Sequence, residues 1–259
     1  MKYIILSTFL FFSPNLAHAS EPLNVQYSIY ASGFEVVNID ATYTVTDKTY
    51  AAEMDLKTIG MLGRLAPWSG VLKSNGLNHD QNPTPLSHSF ANTWRDETKI
   101  TAMDFDNEGV LTTLTKTNAD GSVEDIMPNE DVSKNTIDIM TAIYRASQGG
   151  TCDGTQTAMD GKRKFDMVFK SHSREKLTPG KYNKFDGDAE ICTIEIQPIS
   201  GKWREKKRGW MSIQEQAKND GTLPKIWFGK VGEQAMNIPV RLQIQTNYGA
   251  MIMHLTGVE

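Results

Sequence analysis

The stretch VNIDATYTVTDKTYAAEMDLK, Val37 to Lys57, decides the fold. Val37, Ile39, Ala41, Tyr43 and Val45 fall on one side of an extended chain, and Asn38, Asp40, Thr42 and Thr44 on the other. Successive side chains of a strand point to opposite faces, so this pattern predicts a strand with one face in a core and one in water. After Asp47 and Lys48 the same period resumes, with Tyr50, Ala52, Met54 and Leu56 inward and Glu53, Asp55 and Lys57 outward. Two amphipathic runs around a short polar turn predict an antiparallel hairpin.

The same reading extends in both directions. NVQYSIYASG precedes the hairpin as a first strand, turned at Gly33. WSGVLKSNG, PLSHSFANTW, TKITAMDFD and VLTTLTKT follow, punctuated by Gly76, Pro83 and the triplet Asn107, Glu108, Gly109. Strands resume over 163–170, 189–197, 224–229, 240–247 and 250–255. In VRLQIQT, Val240, Leu242 and Ile244 oppose Arg241, Gln243 and Gln245. NTIDIMTAIYRASQGG is the main helix signal: Ile137, Met140, Thr141 and Tyr144 recur at helical spacing, Asn135 serves as N-cap, and Gly149 closes the end. Shorter helical turns are expected near Gly60 to Leu65 and Gln214 to Lys218. No linker, low-complexity tract or tandem repeat interrupts the chain.

The chain begins with the layout of an export signal. Lys2 is followed by the apolar run YIILSTFLFF, then Pro14 and the small-x-small site Ala17, His18, Ala19. This predicts a signal peptide over 1–19 and a single β-rich domain over 20–259, exported to the periplasm. No later segment is apolar over the ~20 residues that a membrane-spanning helix needs. The net charge of -4 argues against a nucleic-acid partner.

The two cysteines are Cys152 and Cys192. In an oxidising compartment two cysteines predict one disulfide, here a staple across about forty residues. Redox chemistry needs closely spaced cysteines or a thiolate-stabilising site, and the spacing offers neither. Cys192 is in phase with Ile194 and Ile196, although Ile191 on the opposite side leaves the core face open. MDGKRKFDMVF, Met159 to Phe169, reads as a hairpin turned at Asp160-Gly161. Phe165, Met167 and Phe169 face in; Lys164, Asp166 and Lys170 face water, and Lys162 and Arg163 sit on the solvated tip.

These landmarks carry a resemblance. The helix NTIDIMTAIYR, the cysteine followed by DGKRKFDM, CTIEIQPISGKW and the closing IPVRLQIQTNYGAMIMHL resemble domain-of-unknown-function family 3108, exported proteins of Gram-negative bacteria. YSIYASGFEVVNIDATYTV and TIGMLGRLAPW fit as well. The resemblance implies an envelope location and a β-rich fold, and supplies no reaction. A looser likeness in architecture is to lipoprotein carriers and envelope-integrity proteins. The expected fold is therefore mainly β: one strongly curved antiparallel sheet, a half-open barrel or spiral, with one main helix near 135–148.

Two groups of residues are candidate sites. Tyr43, Met54, Trp68, Phe165, Met167, Leu242 and Met253 fall on inward faces and would line a ligand cavity if the interior is open, or fill it if packed. Met61, Leu62, Leu65 and Trp68 in GMLGRLAPWSG would form a lid over the open end, or a fixed plug. The run GKWREKKRGW offers Lys202, Arg204, Lys206, Lys207 and Arg208 between Trp203 and Trp210, a contact for an anionic surface, or a plain solvated loop between strands with the tryptophans packed underneath.

No metal or cofactor is expected. His79, His88, His172 and His254 lack ligand spacing, and DFDNEG and FDGDAE read as turns rather than calcium loops. No Gly-x-Ser-x-Gly elbow or phosphate-cradling loop is present. The leading expectation is a non-enzymatic periplasmic protein that binds a lipid, lipoprotein or peptide of the envelope. The alternatives are a packed interaction protein that docks a protein partner, and an enzyme with an unrecognised site. A cavity, a solid core with an exposed apolar patch, and convergent titratable groups in a cleft would distinguish the three.

Overall fold

The structure is a computed structural model and describes residues 21–79, 82–127, 130–201, 203, 210–246 and 249–259. The expected signal segment 1–19 lies outside the described residues.

The N-terminal half is a meander of β1 (Leu23–Ala31), β2 (Phe34–Val45), β3 (Thr49–Thr58), β4 (Trp68–His79), β5 (Asn82–Trp94), β6 (Glu97–Phe105), β7 (Leu111–Thr117) and β8 (Val123–Ile126). The C-terminal half adds β9 (Ile137–Asp138), β10 (Gly154–Met159), β11 (Arg163–Leu177), β12 (Gly187–Gly201), β13 (Lys225–Val231), β14 (Met236–Thr246) and β15 (Gly249–Val258). All fifteen belong to one sheet, ordered β8-β7-β6-β5-β4-β3-β2-β1-β15-β14-β13-β12-β11-β10-β9. Two meanders thus run away from a central antiparallel β1–β15 seam, in which Tyr27 faces Leu255. Among the described strands only the β9–β10 pair is parallel.

The opening hairpin forms in the expected register: Val45 opposes Tyr50, Tyr43 opposes Ala52 and Ala41 opposes Met54. Thr46 N–H donates to the Thr49 carbonyl at 2.8 Å, closing the turn over Asp47 and Lys48. Ile39, Ala41, Tyr43 and Tyr50 are buried, and Asp40, Thr42 and Asp55 are exposed. The alternation of the sequence is therefore the alternation of core and water.

The sheet curls without hydrogen-bonded closure, and side chains join its two ends. Met159 of β10 packs with Met103, Phe105, Leu111 and Leu114 of β6 and β7. Gly161, in the β10–β11 turn at φ 82°, sits where a Cβ would lie 2.3 Å from Thr101 Cγ2 of β6. A side chain at 161 would thus be opposed both by the left-handed backbone and by the facing strand.

Among the described residues there are four helical segments: α1 (Gly60–Leu65), α2 (Glu130–Ser133), α3 (Ile139–Ser147) and α4 (Trp210–Asn219). The helix expected near 135–148 is α3, and it starts later than the Asn135 cap would place it. Asn135 is left-handed at φ 52°, Ile137 and Asp138 pair with β10, and Asp138 caps the helix. The hairpin at Asp160-Gly161 holds, with one correction: Lys164 is buried. Its Nζ donates to the carbonyls of Asp131 and Lys134 at 2.5 and 2.9 Å, so it ties down α2 instead of meeting solvent. Arg163 is also not simply a solvated tip. It pairs with Asp160 and lies 5.0 Å over the Trp203 ring.

The cysteines form the expected bond. Cys152 and Cys192 are joined at 2.06 Å, with Cα atoms 6.4 Å apart, and both are buried. The bond ties the chain just beyond α3 to β12.

Candidate functional site

The concave side of the sheet faces α3, and a buried polar cluster fixes the helix there. The Asp138 carboxylate accepts the Thr141 N–H at 3.0 Å and the Thr141 hydroxyl at 2.5 Å. It also accepts the Ser74 hydroxyl of β4 at 2.6 Å and lies 3.2 Å from His88 Nδ1 of β5. Thr141 Oγ1 meets the Tyr50 hydroxyl of β3 at 2.6 Å. One helix start is thus pinned to three neighbouring strands. Burial alone would raise the Asp138 pKa, but the His88 partner and the Ser74 and Thr141 hydrogen bonds outweigh it and hold the carboxyl below its usual range.

A serine, a histidine and an aspartate meet here, yet not as a nucleophile relay. Such a relay needs the serine and the acid on opposite ring nitrogens. Here Ser74 and Asp138 both approach His88 Nδ1, and all three side chains are buried. The sequence reading missed this cluster.

Held by this anchor, α3 roofs an apolar cavity of about 190 Å³. The sheet contributes Tyr27, Ile39, Tyr43, Met54, Leu242 and Met253, and the helix contributes Ile139, Met140, Ile143 and Tyr144. Among the described residues no charged side chain lines it. Burial pushes the Tyr43 phenol up to about 12, so it stays neutral through the physiological range. A second apolar cavity of about 330 Å³ adjoins it, lined by Phe165, Met167, Ile194, Ile196, Trp203 and Met211. The two share Ile139, Ile143, Ile226 and Leu242 as a common wall. At the opposite end of the first cavity, Val45, Tyr144, Ser147, Met236 and Asn237 lead into a wider polar vestibule bordered by Asp47, Lys48, Asn78, Gln148 and Lys230.

Of the sequence-derived cavity residues, Tyr43, Met54, Leu242 and Met253 line the first cavity, and Phe165, Met167 and Leu242 line the second. Trp68 lines neither. It sits at the far end of β4, where its indole N–H donates to Asn92 Oδ1 at 2.5 Å. The plug reading of Met61, Leu62 and Leu65 fails, because α1 buries none of its residues, and none of the three lines either cavity.

Trp203, expected on an anionic-surface contact or packed under its loop, lines the second cavity. Lys202, Arg204, Lys206, Lys207 and Arg208 lie outside the described residues; Trp210 opens α4.

Among the described residues, one group of ligand-type side chains is close enough to hold a metal: Cys152, Glu190 and Cys192. Both sulfurs are committed to the disulfide. Glu190 accepts the Cys152 N–H at 3.2 Å and the Ser171 hydroxyl at 2.9 Å.

The model of the protein family of unknown function DUF3108 matches residues 26–256. The chain belongs to this family. No curated protein matches this DUF3108 chain. Among solved structures it is similar to the crystal structure of a beta-barrel-like protein of domain of unknown function DUF1849 from Brucella abortus. The identity is 10%, the TM-score 0.43, and the match covers 92% of this chain and 97% of that one. No helix of the described residues of the DUF3108 chain is long and apolar enough to cross a membrane.

Proposed function

We propose that the chain is an exported, periplasmic, non-enzymatic protein that holds an apolar or amphipathic envelope component inside its curled sheet, in a role of envelope maintenance. The observation that carries this reading is the pair of adjoining apolar cavities walled by Ile139, Ile143, Ile226 and Leu242. Apolar cavities of ~150 Å³ stay dry and accept small hydrocarbons, and ligand pockets span roughly 300–1,000 Å³. Two such spaces in series suit a hydrocarbon chain better than a compact ring system. The polar vestibule beside the first cavity gives a headgroup a place in water, which extends the ligand class from apolar to amphipathic.

The linings supply little for chemistry. Among the described residues that line the two cavities, the one charged side chain is Arg163, in the second. Hydrocarbon burial at ~25 cal/mol per Å² would supply the affinity, with methionines adjusting to chains of different shape. The export-signal layout at the N-terminus and the Cys152–Cys192 bond support the periplasmic part of the reading.

The test is a fluorescence titration of the native protein with a lipophilic probe. Saturable uptake, reversed by competing long-chain fatty acid, is expected. Absence of uptake at any probe concentration would favour the packed interaction protein.

A further inference from the structure

The strand directions give the sheet two unlike ends. One carries the polar vestibule, at the turn between β2 and β3. The other carries the β1–β2 turn, α1 and the β5–β6 turn. At this second end, large apolar side chains face water. Phe34 is 75% exposed, Met61 76% and Leu65 72%, with Leu62 and Trp94 also exposed.

These residues form one neighbourhood. The Ile59 N–H before α1 donates to the Val36 carbonyl at 3.0 Å, which holds α1 beside Phe34. The Arg95 N–H donates to the Pro67 carbonyl at 2.9 Å, which holds the β5–β6 turn beside the segment after α1. Because α1 buries none of its residues, its apolar side chains add nothing to the core. Single exposed apolar residues are ordinary on a protein surface, but a contiguous group marks a contact surface.

We infer that this end of the protein docks on the hydrocarbon boundary of a lipid bilayer. Three features favour a bilayer over a protein partner. The apolar groups project from two neighbouring tips, the β1–β2 turn and a six-residue helix, rather than lining a groove. Projecting tips need a deformable apolar medium, whereas a protein would need a matching socket for each. Among the described residues the charges around them nearly balance: exposed Lys57, Arg64, Arg95 and Lys99 stand against Glu35, Asp96 and Glu97. Such a rim suits zwitterionic headgroups.

The third feature is continuity with the interior. The second cavity lies toward the same end of the strands, where β11 begins at Arg163 and Trp203 follows the end of β12. Docking by Phe34, Met61 and Leu65 therefore turns that cavity toward the lipid surface, which shortens the path of a hydrocarbon chain through water. This step rests on the cavity reading only for its purpose; the docking itself stands on the exposed residues.

Flotation with phosphatidylcholine vesicles tests the inference. The wild-type protein is expected to float, with little change between low and physiological salt. The triple variant Phe34→Ser, Met61→Ser, Leu65→Ser should partition about tenfold less or weaker, since it removes most of the apolar area available for insertion. Its lipophilic-probe uptake in solution should stay at the wild-type level, which separates failure of docking from failure of the cavity. In a Phe34→Trp variant, tryptophan emission should shift to the blue on vesicle addition. A wild-type protein that stays in the aqueous fraction overturns the inference, as does a triple variant that floats like wild type. A self-association in solution that the triple variant abolishes, without vesicle binding by wild type, would assign the patch to a second copy of the chain instead.

Discussion

Asp138 and His88 meet at 3.2 Å although fifty positions separate them in the chain, and both are buried. Their contact sets where α3 sits above the sheet, and so it shapes the cavity. Removing the Asp138 carboxylate also leaves the buried Ser74 and Thr141 donors without their acceptor, at about 1–3 kcal/mol for each group stranded. Asp138→Ala should lose stability on that scale in urea unfolding. An effect within the scatter of surface variants would remove Asp138 as the anchor.

The same carboxyl gives an acid limb. Its folded pKa lies below the ordinary carboxylate value, so its contribution is fully present above about pH 4 and is lost as pH falls through the folded pKa. The stability of Asp138→Asn should depend less steeply on pH below 4 than that of the wild type. Parallel acid limbs would contradict the assignment.

A second, separate pH window belongs to His254 on the other face. Burial lowers its pKa first and the neighbouring Arg241 lowers it further, and Nδ1 is buried without a hydrogen-bond partner. The folded state therefore keeps the ring neutral where the unfolded chain takes up a proton. Its contribution is present above about pH 6.5 and is lost as pH falls through the lower folded pKa. His254→Gln should flatten the stability profile just below pH 6.5 and leave the Asp138 limb intact. Chemical denaturation from pH 4.5 to 7.5 reads the difference.

Gln214 of α4 stands in for a missing strand. Its amide donates to the Ile196 carbonyl at 2.7 Å and accepts the Ile196 N–H at 2.6 Å, where β13 no longer pairs with β12. Gln214→Leu keeps bulk and leaves two buried backbone groups unpaired, at about 1–3 kcal/mol each. Amide exchange at Ile196 should accelerate in this variant far more than at Ile191. Uniform exchange would refute the local role.

How legible was this in the sequence? Strand faces were, because burial on one side of a sheet writes a period of two into the chain. That is why Tyr43, Met54, Phe165, Met167, Leu242 and Met253 reach the cavities. Interactions between distant segments were not. The start of α3 is set by Ser74, sixty-four positions away, so the local cap signal at Asn135 gave way. Lys164 reads as a surface charge, yet two carbonyls thirty or more positions upstream satisfy it inside. β11 runs on to Leu177 through His172, Ser173, Arg174, Glu175 and Lys176, all exposed, because backbone pairing with β12 requires no apolar face. Trp203 sits beside a basic run, so the sequence leaves a surface contact and a ring packed under the loop both open; the ring lines a cavity.

The Cys152–Cys192 bond should leave no thiol reactive in denatured protein purified without reductant. In the chain-entropy description, closing a loop of about forty residues stabilises by ~4 kcal/mol. Reduction should lower the urea midpoint accordingly. Two reactive thiols without reductant would remove the staple.

The central claim is that the interior accepts a ligand, and probe uptake paired with unfolding free energy tests it most directly. Met54 lines the first cavity and Met167 the second, on strands far apart in sequence. In Met54→Trp and Met167→Trp the indole should fill existing space, block uptake of a lipophilic probe and cost little stability. In a close-packed interior the same changes would overpack the core by ~1–3 kcal/mol with no uptake to lose. Wild-type uptake abolished in both variants at near-native stability is the predicted result; no wild-type uptake together with clear destabilisation of both variants contradicts the account.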